Sequence, residues 1–217
     1  MPTSDYRQII SVLDHVLAIS PKTILEIGIG FGKWGVLCRE YLDIWNGRYE
    51  KETWTTKIYG IEIFEKYHNP IWNYVYDEII IGDVLENIEK FSKVDLIIMA
   101  DVIEHLEKES GLKLIEKCVN VAKKVLITTP KEFFQNDYTQ NIFEKHQSHW
   151  KICDFYKYSF VYEEAPITFI CIIEKPVGKP EHRFVLSPLE REPLKRMPKI
   201  IFKKFINRIR RNLPNKI

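Results

Sequence analysis

The chain of 217 residues has only four cysteines, and no two of them form a Cys-x-x-Cys pair. Cys38, Cys118, Cys153 and Cys171 are scattered, which argues against a zinc ribbon or a disulfide framework and leaves reduced thiols in or near the core. No apolar run approaches the roughly 18 to 20 residues of a membrane span. Residues 1–20 interrupt their apolar positions with acid, Arg and His, unlike the apolar core of a secretory leader. These absences lead us to expect a cytoplasmic protein. There is no internal repeat, and at 45% hydrophobic and 29% charged residues the chain is neither disordered nor fibrous. Its length suits one elaborated domain with one site.

The net charge of +2 conceals an asymmetry. Nine Lys or Arg and no acid fall between Lys195 and Ile217, so the body before them is acidic and the tail basic.

Apolar periodicity alternates between two kinds of element. Helical spacing over Asp5 to Ile19, Phe31 to Trp45 and Lys108 to Ala122 is interleaved with compact apolar runs. Those runs, Thr23 to Ile27, Lys57 to Phe64, Glu78 to Ile81, Val94 to Ala100 and Lys124 to Thr129, read as buried parallel strands joined by crossover helices. The last two runs, Ser159 to Glu163 and Thr168 to Glu174, are separated by a segment too short for a crossover and read as an antiparallel hairpin. The expected architecture is α/β: a Rossmann-like, seven-stranded, mostly parallel sheet with a C-terminal antiparallel hairpin and helices on both faces. Prolines at 180, 188, 193 and 198 mark a linker, and Ile200 to Leu213 reads as an amphipathic basic helix. The expected organisation is one domain over 1–176 and a Pro-containing linker with a basic tail over 177–217.

The strongest local signal is Glu26-Ile27-Gly28-Ile29-Gly30-Phe31-Gly32. Glycines where a strand turns into a helix let the backbone approach a ligand and adopt positive φ, and the helix start offers free N–H groups. The glycines also fit a dinucleotide fingerprint shifted by two residues, Gly30-x-Gly32-x-x-Gly35. The carboxylate of Glu26 would repel a pyrophosphate and tolerate a ligand with a cationic amino-acid end. Glu62 at the end of the second strand is placed to accept ribose hydroxyls. Its distance of 30 residues from Gly32 exceeds the usual spacing of about 20, so an insertion near Trp45 to Trp54 is expected. Gly82-Asp83 ends the third strand, within reach of a base's amino group. Single acids at strand ends are commonplace; three in order at the carboxyl ends of successive strands mark a ligand crevice.

With Asp101-Val102-Ile103-Glu104-His105-Leu106 and Thr129-Pro130, this series resembles the class I S-adenosylmethionine (SAM) dependent methyltransferases, of the small single-domain kind with an Asp-x-x-Glu-His segment after strand four. The resemblance runs from about Ile24 to Lys175. It implies SAM as cofactor, with Glu26, Gly28, Gly30 and Gly32 around the methionine end, Glu62 at the ribose, Asp83 and Val84 at the adenine, and Asp101 beside the sulfonium. It also implies a methyl transfer whose rate comes largely from alignment.

Asp101 and Glu104 also suit a capping pair at the next helical turn. Glu144 to Trp150, in the loop after strand five, adds His146 and His149, either of which suits a general base. We expect His105, His146 and Glu104 on the acceptor side. Asp101, Glu104, His105 and His146 further resemble the set of two Glu and two His with which small-RNA 2′-O-methyltransferases hold a divalent metal. Asp101 stands where those have Glu, and our expectation is a site without metal, this set being the ligands otherwise.

Three functions follow. The first is methylation of O or N on a small-molecule or sugar-containing acceptor. The second is an RNA-directed enzyme, possible metal use included, and the third a non-catalytic SAM-fold protein. In those two the tail, with Phe202, Phe205, Ile206 and Ile209 opposite Lys203, Lys204, Arg208 and Arg211, binds nucleic acid or an anionic membrane surface. Deleting residues 195–217 should leave cofactor affinity unchanged and abolish salt-sensitive binding to RNA or anionic vesicles, as co-sedimentation at low and moderate salt would measure. If truncation instead unfolds the body, the tail is a structural element.

Overall fold

Strands β1 (Thr23–Ile27), β2 (Lys57–Glu62), β3 (Glu78–Ile81), β4 (Val94–Ala100) and β5 (Ala122–Pro130) carry apolar residues at both parities, so each strand must be covered on both faces. In this computed structural model, which describes residues 3–133, 141–188, 190 and 191, β1, β2, β4 and β5 are covered on both faces, whereas β3, at the edge of the sheet, is only half-buried. Leu25, Ile27, Ile97, Met99, Val125 and Ile127 pack with Leu114, Ile115 and Cys118 of α5 (Lys108–Val121) on one face. Ile24, Ile58, Leu96, Ile98 and Leu126 pack on the other with Val12 and Val16 of α1 (Ile9–Ile19), Trp34 and Cys38 of α2 (Lys33–Leu42) and Trp72 of α3 (Pro70–Val75). Each fully buried aliphatic side chain contributes about 1.5 to 3 kcal/mol. Cys118 and Cys171 are likewise buried, whereas Cys153 lies at the surface.

The sheet order is β3-β2-β1-β4-β5-β7-β6-β8, with β1 to β5 mutually parallel. β6 (Ser159–Glu164) and β7 (Thr168–Glu174) form the expected hairpin, β7 running antiparallel to β5. The sheet has eight strands rather than seven. β8 (His182–Val185) pairs parallel to β6 inside the segment read as linker, and a compact unit runs to Val185. Four residues with largely exposed side chains carry too little periodicity to show in sequence. In the second unit, Leu186–Ile217, the Ser187 hydroxyl donates to the Glu190 carboxylate at 2.9 Å and accepts from the Glu190 N–H at 3.3 Å, capping a short turn. The tail from Lys195 onward lies outside the described residues. Among the described residues no helix is long and apolar enough to cross a membrane.

The expected insertion between α2 and β2 is present as two short 3-10 turns, Ile44–Asn46 and Lys51–Thr53. It is tied down by a buried ion pair. Asp43 accepts from Arg39 at 2.7 Å, from Arg48 at 2.9 Å and from the Thr55 N–H at 2.8 Å. Arg39 also donates to the carbonyls of Thr56 and Val75 and lies 4.0 Å over the Trp54 ring. With its ends anchored in this way the insertion does not displace β2.

Alternation along β1 sends Glu26 to the face covered by α2, where Tyr76 donates to its carboxyl at 2.7 Å. Burial pushes its pKa up to about 8. Since that lies above the ordinary 4.5, the stability from the protonated group is complete below pH 4.5 and is lost as pH rises through about 8. Glu26→Gln keeps the shape and removes the ionisation. The melting temperature of the variant relative to wild type should therefore climb across that window, and a constant gap would show that the folded protein holds the carboxylate ionised.

Candidate functional site

At the carboxyl end of β1 the chain turns through Gly28, Gly30 and Gly32, with φ of 72°, 55° and 86°. Only glycine adopts this series at no steric cost. At Gly28 there is a second reason, because a Cβ there would lie 2.5 Å from the Val102 side chain after β4. The turn's N–H groups are answered by β2. Gly28 donates to the Ile61 carbonyl at 2.9 Å, and Gly30 donates to Oε2 of Glu62 at 2.9 Å. Oε1 of Glu62 accepts from the Phe64 N–H at 2.9 Å. Burial raises the pKa of Glu62, while the Gly30 and Phe64 donors pull the other way.

Above this turn, at the carboxyl ends of β1 to β4, opens a cavity of about 300 Å³. Of the residues singled out in the sequence, Gly28, Gly30, Glu62, Asp83, Val84, Asp101 and His105 line it. Gly32, Glu26, Glu104 and His146 are not in its wall. Gly32 instead gives the turn its last positive φ, and Glu26 lies under the turn against Tyr76. Asp83 also caps α4 (Val84–Asn87), accepting from the Leu85 N–H at 2.7 Å. Sequence reasoning missed Lys33, Tyr67, Asn141 and Phe143 in the wall, and named Glu144 only as the start of the histidine-bearing loop. Lys33, adjacent to the glycines, was the one with a local signal; its ammonium donates to the Ser4 carbonyl.

The Asp101–Glu104 capping pair does not form. The turn Ile103–His105 starts from Val102 without a side-chain cap. Asp101 instead holds a left-handed conformation, φ 54°, with Oδ2 accepting from Gln8 at 2.7 Å and Oδ1 from Thr128 at 2.9 Å. Oε2 of Glu104 accepts from the Thr129 hydroxyl at 3.0 Å; Oε1 is buried and has no hydrogen-bond partner among the described residues. Burial, reinforced by Asp101, holds the Glu104 carboxyl well above the usual range.

His105 and His146 face each other with ring centres 4.9 Å apart. One ligand atom from each of Glu104, His105 and His146 lies within 4.8 Å of the others, a spacing that suits a shared cation. Asp101, turned toward Gln8 and Thr128, is not in this group. Burial lowers the pKa of His105, whose Nδ1 lies 3.3 Å from the Lys145 carbonyl; donation there leaves the Nε2 lone pair available. His149 is directed elsewhere, its Nε2 meeting the Lys131 carbonyl at 2.9 Å.

The segment bearing His146 is clasped to the turn after β4. The N–H groups of Gln147 and Ser148 donate to the Glu104 carbonyl at 2.7 and 3.1 Å, and the Trp150 indole donates to the Ile103 carbonyl at 3.2 Å. Trp150 fits because α5 has Gly111 beneath it; a Cβ there would lie 2.4 Å from the indole.

No family model matches the chain, and no curated protein matches it. Solved structures do. A SAM-dependent methyltransferase from Archaeoglobus fulgidus shares 14% identity over 77% of this chain and 93% of its own, with a TM-score of 0.57. The methyltransferase domain of a bacterial Hen1 shares 14% over 79% and 98%, with a TM-score of 0.56. Magnesium protoporphyrin IX methyltransferase from Synechocystis PCC 6803, solved with bound SAH (S-adenosylhomocysteine), shares 14% over 79% and 84%, at 0.57. At such identities the likeness concerns architecture, and by architecture the chain has the class I SAM-dependent methyltransferase fold.

Proposed function

We propose that the protein binds SAM in this cavity and transfers its methyl group to an oxygen or nitrogen of a small-molecule or sugar-containing acceptor. The observation that carries the reading is the joint held by Glu62. Each of its oxygens accepts a backbone N–H, which leaves further lone pairs for ligand hydroxyls, directly beside a glycine turn shaped for close approach. The residues fit the cofactor: Gly28 and Gly30 for the methionine end, Glu62 for the ribose, Asp83 and Val84 for the adenine. SAM supplies a methyl carbon on a sulfonium; the acceptor's bond to that carbon forms as the carbon–sulfur bond breaks, the electron pair staying on sulfur. His105 and His146 take the acceptor's proton, and Glu104 positions them. Burial, with Asp101 beside it, holds the Glu104 carboxyl well above the usual range and so favours its neutral form.

A second reading is favoured by the grouping of Glu104, His105 and His146 and by the unpartnered oxygen of Glu104. In it these residues hold a divalent cation that lowers the pKa of an acceptor hydroxyl, as would suit an RNA-directed enzyme.

SAH should raise the melting temperature and NADH should not, since a ligand specific for the native state stabilises it by mass action. Glu62→Ala should weaken SAH binding by roughly ten- to a hundredfold in calorimetry, because a charged hydrogen-bonding group is lost. A shift with NADH alone, or unchanged affinity in the variant, would overturn the cofactor assignment.

For the acceptor side, His146→Ala should lower turnover by about 10² or more while leaving SAH affinity intact. Assays in chelator, with Mg²⁺ or Mn²⁺ added back, separate the two readings. Full activity in chelator leaves the histidines as base; loss and recovery establish the cation.

A further inference from the structure

The order of strands in the sheet arranges the charges of the cavity in a row. With β3, β2, β1 and β4 side by side, Asp83, Glu62, the glycine turn and Asp101 follow one another along the carboxyl edge. Base and ribose are assigned to the first two, so the remaining part of the ligand lies over the ends of β1 and β4. There stands Lys33, among the described residues the only Lys or Arg in the cavity wall. It opens α2 directly after Gly32, an N-cap without a side-chain bond to the helix start, and the positive end of the helix dipole adds to its field.

One short segment ties Lys33 and Asp101 together. Its Thr3 and Ser4 line the same cavity. The Ser4 carbonyl accepts from the Lys33 ammonium. The Ser4 hydroxyl accepts from the Trp34 indole at 3.2 Å and donates to the carbonyl of Ala100, the last residue of β4, at 3.4 Å. Further along, Gln8 donates to Asp101 at 2.7 Å and accepts from Thr168 at 3.3 Å. Residues 3–8 thus cross the ends of β1 and β4 and hold a cation and a carboxylate on one stretch of wall. The bond to a neutral carbonyl leaves the ammonium further donors, and the Asp101 carboxylate accepts from Gln8 and Thr128 without exhausting its lone pairs. Burial lowers the pKa of Lys33, and Asp101 and Asp5 oppose that shift. A cation held away from water gains most from a ligand that brings the opposite charge beside it.

We propose that Lys33 and Asp101 read the zwitterionic amino-acid end of the cofactor, Lys33 taking its α-carboxylate and Asp101 its α-ammonium, with residues 3–8 as the strap that sets their spacing. Lys33 is then the residue that decides specificity at this end. It selects a thioether nucleoside bearing a carboxylate over the same nucleoside without one. The inference rests on the cofactor reading above, and the probes below separate its failure from the failure of that reading.

The test titrates the full chain calorimetrically with three probes that share the adenosine thioether. They are SAH, S-adenosyl-3-thiopropylamine, which keeps the ammonium and lacks the carboxylate, and 5′-methylthioadenosine, which lacks both. SAH should bind tightest, with the propylamine about tenfold or more weaker. Lys33→Met should weaken SAH by about tenfold or more and weaken neither of the other probes. Lys33→Arg keeps a cation and should retain the preference for SAH over the propylamine. Asp101→Asn should weaken SAH and the propylamine alike and leave 5′-methylthioadenosine unchanged. The affinity for 5′-methylthioadenosine reports that each variant is folded, and Lys33→Gln, which keeps a donor for Ser4, replaces the methionine variant if that one is not. Equal binding of SAH and the propylamine to the wild-type chain overturns the proposal, as does a lysine variant that weakens every probe by the same factor. Failure of the wild-type chain to bind SAH at all is seen in the first titration and removes the cofactor reading along with it.

Discussion

The geometry of the crevice depends on the bonds between the carboxylate of Glu62 and the N–H groups of Gly30 and Phe64. The turn satisfies only part of its own backbone donors, Gly32 reaching the Ile29 carbonyl at 2.9 Å, and a buried N–H without an acceptor costs as much as a lost hydrogen bond. Glu62, at the end of the neighbouring strand, supplies the missing acceptor. Parallel pairing of β1 with β2 aligns the two strand ends, and the bond from Gly28 to Ile61 carries the pairing one residue into the turn. Insertion and core therefore serve the same end. The Arg39–Asp43 pair brings a chain detour back in register, and the packing of α2 and α3 holds the sheet face from which the turn departs.

The opposite rim is held by different forces. Its histidines come from segments about forty residues apart, and the bonds that bring them together run from Gln147, Ser148 and Trp150 to backbone carbonyls of the turn after β4. At the same turn Asp101 leaves the strand in a left-handed conformation, its carboxyl accepting from Gln8 and Thr128. One side of the crevice is thus built by side chain to backbone bonds of a carboxylate, and the other by backbone and indole donors closing on a strained exit. The two meet at Glu144, which accepts from the Tyr67 hydroxyl and belongs to the segment carrying His146.

Strand positions were legible because burial on two faces leaves uninterrupted apolar runs, and β1, β3, β4 and β7 lie where those runs lie. The acids at the ends of β2 and β3 were legible for the same reason: a polar residue that closes an apolar run sits at the sheet's rim, and Glu62 and Asp83 do line the cavity. Glu26 misled because it also precedes the glycines. Its parity with Ile24 puts it on the face of α2, and parity outweighs nearness to the turn. Asp101 misled differently, since its spacing to Glu104 imitates a cap while its backbone takes a region that only the tertiary partners Gln8 and Thr128 make acceptable. Tyr67 and Asn141 had no sequence pattern to reveal them, and Glu144 stood out only through the histidines that follow it. They are joined by contacts across more than seventy residues, which local periodicity does not encode.

β8 has a practical side. Its four residues hydrogen-bond along β6, from His182 beside Phe160 to Val185 beside Glu163, and His182 stacks on the Phe160 ring. A polypeptide cut after Pro176, where the composition changes, would bare the backbone edge of β6 beside an otherwise intact sheet. Unpaired edges of this kind template association between copies. Such a fragment would be prone to clump through β6 even if its crevice were sound, and a boundary placed beyond Val185 keeps that edge covered.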